Sequence, residues 1–337
     1  MAIRRRLIVA ALYIGSLAVV AVVSVYYGRN FTGMGPTPER AAFGRRLVGT
    51  PDGDAHRFQF FYATNRALQQ DDNPFTDHGR VISDVISTGT FDVRITEQLP
   101  IRPWIWNDAD AMSVVDRTAM PVDETLARLK AAIEASPNRS LLVIVWGFRD
   151  RFQTAALRTA YMAYVLDINT PVLLFDWPGN QGEGSSGYRA SREMSYQSGP
   201  ALGQVLSRVI RETSDTRIWL MGSSLGCQTI CEAFSWMMND PNLADTDQEI
   251  EHVILNAPDV SAQEFDERFA GEIKALSKHL TSYVASNDRA LLVSKFVNRS
   301  RRLGRPNVAQ PAVQEYAVDP LDYAADLLAL QDQGVDE

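Results

Sequence analysis

The sequence predicts an α/β protein, a mostly parallel sheet with helices on both faces, preceded by one N-terminal transmembrane helix. Three observations predict it. Strand-like and helix-like segments alternate repeatedly between residue 122 and about residue 300, the pattern of successive βαβ units. The strand-like segments there are continuous apolar runs, as in strands buried on both faces. Residues 7–27, LIVAALYIGSLAVVAVVSVYY, run without a charge.

At about 1.5 Å per residue, a helix over 7–27 spans about 31 Å, close to the roughly 30 Å hydrocarbon core of a bilayer. Arg4, Arg5 and Arg6 precede it, and Tyr26 and Tyr27 end it. The positive-inside rule then leaves residues 1–6 as a cytoplasmic stub and places 28–337 on the periplasmic or extracellular side. A cleaved signal peptide is the alternative, although its apolar region is normally shorter. Residues 28–55, rich in Gly, Pro, Arg and Asp, are expected to form a linker. The remainder, 56–337, is expected to be one domain.

Within it, 57–64 (RFQFFYAT) and 89–96 (GTFDVRIT) have the β-branched and aromatic content of strands. A turn-rich loop, DDNPFTDHGR, separates them. A helix is expected at 122–136, a buried strand at 140–148 (SLLVIVWGF), a helix at 154–167 and a buried strand at 171–179 (PVLLFDWPG). A helix at 191–214 carries a potential kink at Gly199-Pro200. Then follow a strand at 217–222, a helix at 225–240, a strand at 251–258 and a helix at 262–279. A strand at 280–286 and helices at 290–300 and 322–333 complete the series.

The charge balance excludes one class of partner. Residues 1–30 hold four of the 33 Lys and Arg and no acid, so the rest carries 29 cations against 41 anions. A domain that acidic repels polyanions, and no nucleic-acid partner is expected.

The chemistry centres on Gly222-Ser223-Ser224-Leu225-Gly226. This is G-x-S-x-G between a strand (RIWLM) and a helix (CQTICEAF), the context of a nucleophile elbow. The serine occupies a sharp turn, and Gly222 and Gly226 stand where backbone passes too close for a Cβ. An oxyanion hole takes one N–H from the residue after the nucleophile, Leu225, and another from the loop after an earlier strand. Phe148, behind Gly147, is the candidate there. The triad acid follows the nucleophile at the carboxyl end of a later strand. Asp288 and, as the alternative acid, Asp259 qualify, and either could instead cap the helix that follows it.

The segments FFYATNRAL (60–68), SLLVIVWGFRDRFQTAALRTAYMAY, PVLLFDWPG, GSSLG, VILNAPDV and LTSYVASNDRALLVSKF resemble a bacterial family of esterase/lipase-like hydrolases of unknown substrate with the α/β-hydrolase fold. The resemblance covers roughly residues 57–305. It implies a serine hydrolase of ester or lipid-like substrates, with Ser224 as nucleophile and Asp288 as acid. Two departures stand out. The family has His-Gly after its third strand, where this chain has Trp146-Gly147. The chain's four histidines are His56, His78, His252 and His279, so none follows Asp288, where the triad order requires one. Three readings follow: the last strand and His loop are missing from the chain, the chain is a non-catalytic binding domain on a hydrolase fold, or another base serves, with His78 the first candidate.

Other features read more blandly. Cys227 and Cys231 lie four apart on one helix, with Cβ atoms about 5–6 Å apart, too far for an undistorted disulfide, and are expected as buried thiols. GNQGEGSSGY (179–188) lacks G-K-[ST] and is expected as a loop bordering the site, not a phosphate cradle. No metal and no cofactor is expected. SKFVNRSRRLGR (294–305), with five basic residues, is expected to be a solvated face.

Overall fold

The computed structural model describes residues 47–68, 78–96, 99, 107–213, 215–241, 243, 250–285, 288–305 and 313–316. The expected anchor at 7–27, residues 71–77 of the expected DDNPFTDHGR loop and the helix at 322–333 lie outside these; the last three residues of that loop, His78, Gly79 and Arg80, begin a strand instead. Among the described residues no helix is long and apolar enough to cross a membrane.

The strands are β1 (Thr50–Asp52), β2 (Ala55–Leu68), β3 (His78–Thr96), β4 (Met112–Met120), β5 (Ser140–Val145), β6 (Val172–Asp176), β7 (Arg217–Ser223), β8 (Ile250–Asn256), β9 (Ser277–Tyr283) and β10 (Val313–Tyr316). They form one sheet in the order β10-β9-β8-β7-β5-β6-β2-β3-β4, with β1 on β2. From β2 to β9 every neighbour pair is parallel. The β1–β4 meander and β10 pair antiparallel. The fold is therefore α/β with a mostly parallel sheet. β1 lies inside the stretch expected as a linker, whose last residues belong to the sheet. β10 pairs with the outer edge of β9, Val313 opposite Tyr283.

The helices are α1 (Val122–Ala135), α2 (Phe152–Val165), α3 (Gly184–Glu212), α4 (Leu225–Met237), α5 (Ala262–Glu264), a π-helical turn (Phe265–Phe269), α6 (Ala270–Leu276) and α7 (Arg289–Asn298). Alternation along β5 explains the layers. Leu141, Val143 and Val145 join the cluster under α1, α3, α4 and α6. Leu142 and Ile144 join the cluster under α2 and the β3–β4 hairpin. Each such fully buried aliphatic side chain contributes about 1.5–3 kcal/mol.

Two expectations are corrected. Residues 184–188, expected in a loop, form the first turns of α3. Their Gly and Ser residues hide the helix because propensity there is poor, yet Gly187 packs so closely that a Cβ would lie 2.3 Å from the Gly182 carbonyl carbon. The helix expected to run to 279 ends at Leu276, and Ser277–Tyr283 pairs as β9. Pro200 sits inside α3 without ending it. The β4 strand was not foreseen from the sequence.

Candidate active site

The carboxyl ends of β5, β6, β7, β8 and β9 share one rim, fixed by the registers Val145 with Gly222, Ser223 with Asn256 and Asn256 with Tyr283. In open α/β sheets this rim carries the ligand site. Three non-glycine residues take left-handed backbone on its loops: Arg149 (φ 71°), Ser224 (φ 54°) and Ala257 (φ 45°). Such strain persists only where the surroundings over-determine it, and it concentrates at functional sites.

Ser224 is the residue between β7 and α4, with φ 54° and ψ −121°. Its N–H donates to Asn256 O (3.0 Å), and its carbonyl accepts from Cys227 N and Asp259 N (both 3.1 Å). The turn is pinned by backbone, and the side chain is half-buried, with no partner among the described residues. The glycines around it are required by contact. A Cβ on Gly226 would lie 2.3 Å from Val145 O, and one on Gly222 2.7 Å from Ile230 Cδ1. A Cβ on Gly147 would lie 2.9 Å from Ser224 Cβ and 3.4 Å from Leu225 N, so the β5 loop lies directly against the elbow.

That loop is held on three sides. Trp146 O accepts from Trp177 Nε1 (2.7 Å), Arg149 N donates to Gly179 O (2.9 Å), and Asp150 O accepts from Arg66 Nη2 (2.8 Å). Between them, the Phe148 N–H has no acceptor among the described residues, and neither has the Leu225 N–H at the start of α4. The structure thus sets Gly147, with Phe148 next along the chain, against Ser224 and Leu225. Trp146 points away, donating Nε1 to Thr159 Oγ1 (2.8 Å) under the Arg158 guanidinium.

The two acid candidates differ. Asp288 begins α7, and one of its oxygens accepts from Leu291 N (2.8 Å). It is the N-cap foreseen as its ordinary role, and its other oxygen has no partner among the described residues. Asp259 is 3 % exposed and takes the Nε of Arg302 (2.6 Å), the Ser294 hydroxyl (2.5 Å) and the Tyr188 hydroxyl (2.8 Å). The N-cap of the following helix is Ser261, not Asp259. Arg302, expected on a solvated face, is 1 % exposed. In a run of five basic residues nothing singles it out. Burial pushes the Tyr188 hydroxyl up to about 12, and the Asp259 carboxylate adds to this. The Tyr188 ring meets Phe148 edge-on, so this buried network stands behind the loop that carries Phe148.

A second buried network, unread in the sequence beyond its motif letters, sits at the end of β6. Arg66, 1 % exposed, bonds Asp176 through Nε (2.5 Å) and Nη2 (3.1 Å). It also reaches Asn180 Oδ1 (2.6 Å) and Gly79 O (3.2 Å). FYATNR and FDWPG meet through this pair. Asp150 pairs with Arg158, yet burial outweighs that cation and lifts its carboxyl to about 6.

The histidines do not gather at the elbow. His252 stands beside Trp219 and pairs with His279 on the next strand, about 16 Å along the strand from Ser224. His56, near the start of β2, is also on the opposite rim. His78 opposes Leu68, beyond the end of β6, on the rim of Ser224. Its strand, however, is four strands across from β7, about 19 Å at ordinary spacing. Cys227 and Cys231 are buried free thiols, and burial raises both well above the usual thiol range. Among the described residues no cluster of His, Cys, Asp and Glu could hold a metal ion.

A search of curated proteins finds none that matches the chain. A family model described as alpha/beta hydrolase of unknown function (DUF900) matches residues 122–333, which include Gly147, Phe148, the Ser224 turn and both acid candidates. The chain belongs to this family of alpha/beta hydrolases.

Proposed function

We propose that the protein is a serine hydrolase of carboxylic esters, with Ser224 as nucleophile and the Leu225 and Phe148 N–H groups as oxyanion donors. The observation that carries the reading is the strained Ser224 turn packed against Gly147, beside the Leu225 and Phe148 N–H groups, which have no acceptor among the described residues. Buried, pre-aimed donors stabilise the charge that develops on a tetrahedral intermediate, each worth about 10²–10³ in rate. Ser224 Oγ attacks the carbonyl carbon, and the oxyanion settles on the two N–H groups. The serine proton passes through water to the departing oxygen, which leaves as the alcohol, and a second water hydrolyses the acyl-serine to the acid and free Ser224. Asp288 is the acid in this reading, its second oxygen without a partner among the described residues.

No histidine stands beside Ser224 among the described residues, so the reading assigns this chain a slow hydrolase. The oxyanion hole and binding alone leave roughly 10³–10⁴ over the uncatalysed rate. The same observation favours a second reading, a non-catalytic binding domain on a hydrolase fold. Release of nitrophenol from p-nitrophenyl butyrate by the full chain and by Ser224→Ala separates them. A rate that Ser224→Ala abolishes supports the hydrolase; equal rates support the binder. We also read the domain as membrane-tethered through residues 7–27, on the non-cytoplasmic side. The charge-free 21-residue stretch behind Arg4–Arg6 supports this, and a cytoplasmic signal from a reporter fused at Glu337 contradicts it.

A further inference from the structure

A cavity of about 350 Å³ opens between α1, α3 and the β3 edge. It shares no residue with the elbow or the oxyanion loop. Its floor is Leu173 of β6, and its walls include Leu126 and Leu129 of α1 and Val209 of α3, all buried. The polar atoms at its inner end serve one another: the Thr125 hydroxyl donates to Thr88 Oγ1, and the Thr88 hydroxyl donates to Met120 O. Such an interior offers water few partners and favours hydrocarbon. An apolar cavity of roughly 150 Å³ already takes benzene, so this one holds roughly a dozen non-hydrogen atoms on that scale.

The opening sets the head group. Asp84, Gln204 and Arg208 border it. Arg208 is already held by Asp123 and by Glu212 (2.8 Å). Two carboxylates thus already hold that guanidinium, Asp84 adds a further negative charge at the opening, and a fatty-acid carboxylate arriving there meets like charge. The Gln204 amide offers both a donor and an acceptor, which suits a hydroxyl. We propose that this cavity is a second binding site, separate from Ser224, for the alkyl chain of an uncharged amphiphile such as an aliphatic alcohol.

Photolysis of the full chain with a diazirine-bearing decanol, followed by mass-spectrometric mapping, tests it. Saturable adducts are expected on the segments 122–129 and 204–209. Competition by 1-decanol should be at least tenfold stronger than by decanoate. Val205→Trp, which fills the cavity from α3, should reduce the adducts at least tenfold, and Ser224→Ala should leave them unchanged. Asp84→Lys leaves the walls intact and reverses one charge at the opening, so decanoate competition should rise about tenfold. Adducts that do not saturate, that decanoate displaces as well as decanol, or that vanish in Ser224→Ala overturn the proposal. So does an Asp84→Lys chain whose preference is unmoved.

Discussion

Replacing Arg66 by Met removes the cation from a buried ion pair. Arg66 and Asp176 are 1 % and 3 % exposed, and the guanidinium bonds the carboxylate through two nitrogens. In Arg66→Met the Asp176 carboxylate keeps, among the described residues, only the Thr64 hydroxyl at 3.3 Å. The carbonyls of Gly79 and Asp150 also lose a donor. Breaking a buried pair from one side costs about 3–5 kcal/mol, because the remaining charge stays buried without its partner. Urea unfolding followed by tryptophan fluorescence reads this as a lower midpoint at unchanged slope. The double variant Arg66→Met/Asp176→Leu removes both charges and is expected to cost less than Arg66→Met alone. If Arg66→Met costs under about 1 kcal/mol, or the double variant costs more than the single, the pair is not a buried ion pair that holds β2 to β6.

Further predictions concern the oxyanion loop. Gly226→Ala forces a Cβ to 2.3 Å from Val145 O and 2.6 Å from Trp146 O, both backbone atoms. It should abolish Ser224-dependent hydrolysis and lower the unfolding midpoint, and a variant with normal activity and stability refutes the close approach. Asp150 has a folded-state carboxyl raised to about 6, so its protonated form is favoured on folding. The sign follows from linkage: its contribution is fully present below about pH 4 and is lost as pH rises through about 6. The stability of the wild type relative to Asp150→Asn should therefore fall by about 2–3 kcal/mol between pH 4 and pH 7. A flat or rising difference contradicts the assigned burial.

The parallel half of the sheet is legible in the sequence because strands covered on both faces are apolar without a break, as in SLLVIV and PVLLFD. The β4 strand, MSVVDRTAM, escapes because it lies at the sheet edge and alternates with polar residues. The elbow is legible because its chemistry is local: two glycines, a serine, and a strand and helix on either side. The networks that brace it are not local. Arg66 reaches Asp176, Asn180 and Asp150, and Arg302 reaches Asp259 across 43 positions. Only tertiary packing distinguishes such an arginine from its solvated neighbours. For Asp259, the sequence offers a free acid at a strand end, whereas the structure has already committed it to Arg302, Ser294 and Tyr188.

The central claim is that Ser224 sits in an elbow that makes it attackable and attacking. A fluorophosphonate probe incubated with the full chain, followed by mass spectrometry of the Ser224 peptide, tests it most directly. The account predicts a single adduct on Ser224, forming slowly and absent from Ser224→Ala. A chain that stays unlabelled after prolonged exposure, or that carries its adduct elsewhere, contradicts it and leaves the fold with a binding role alone.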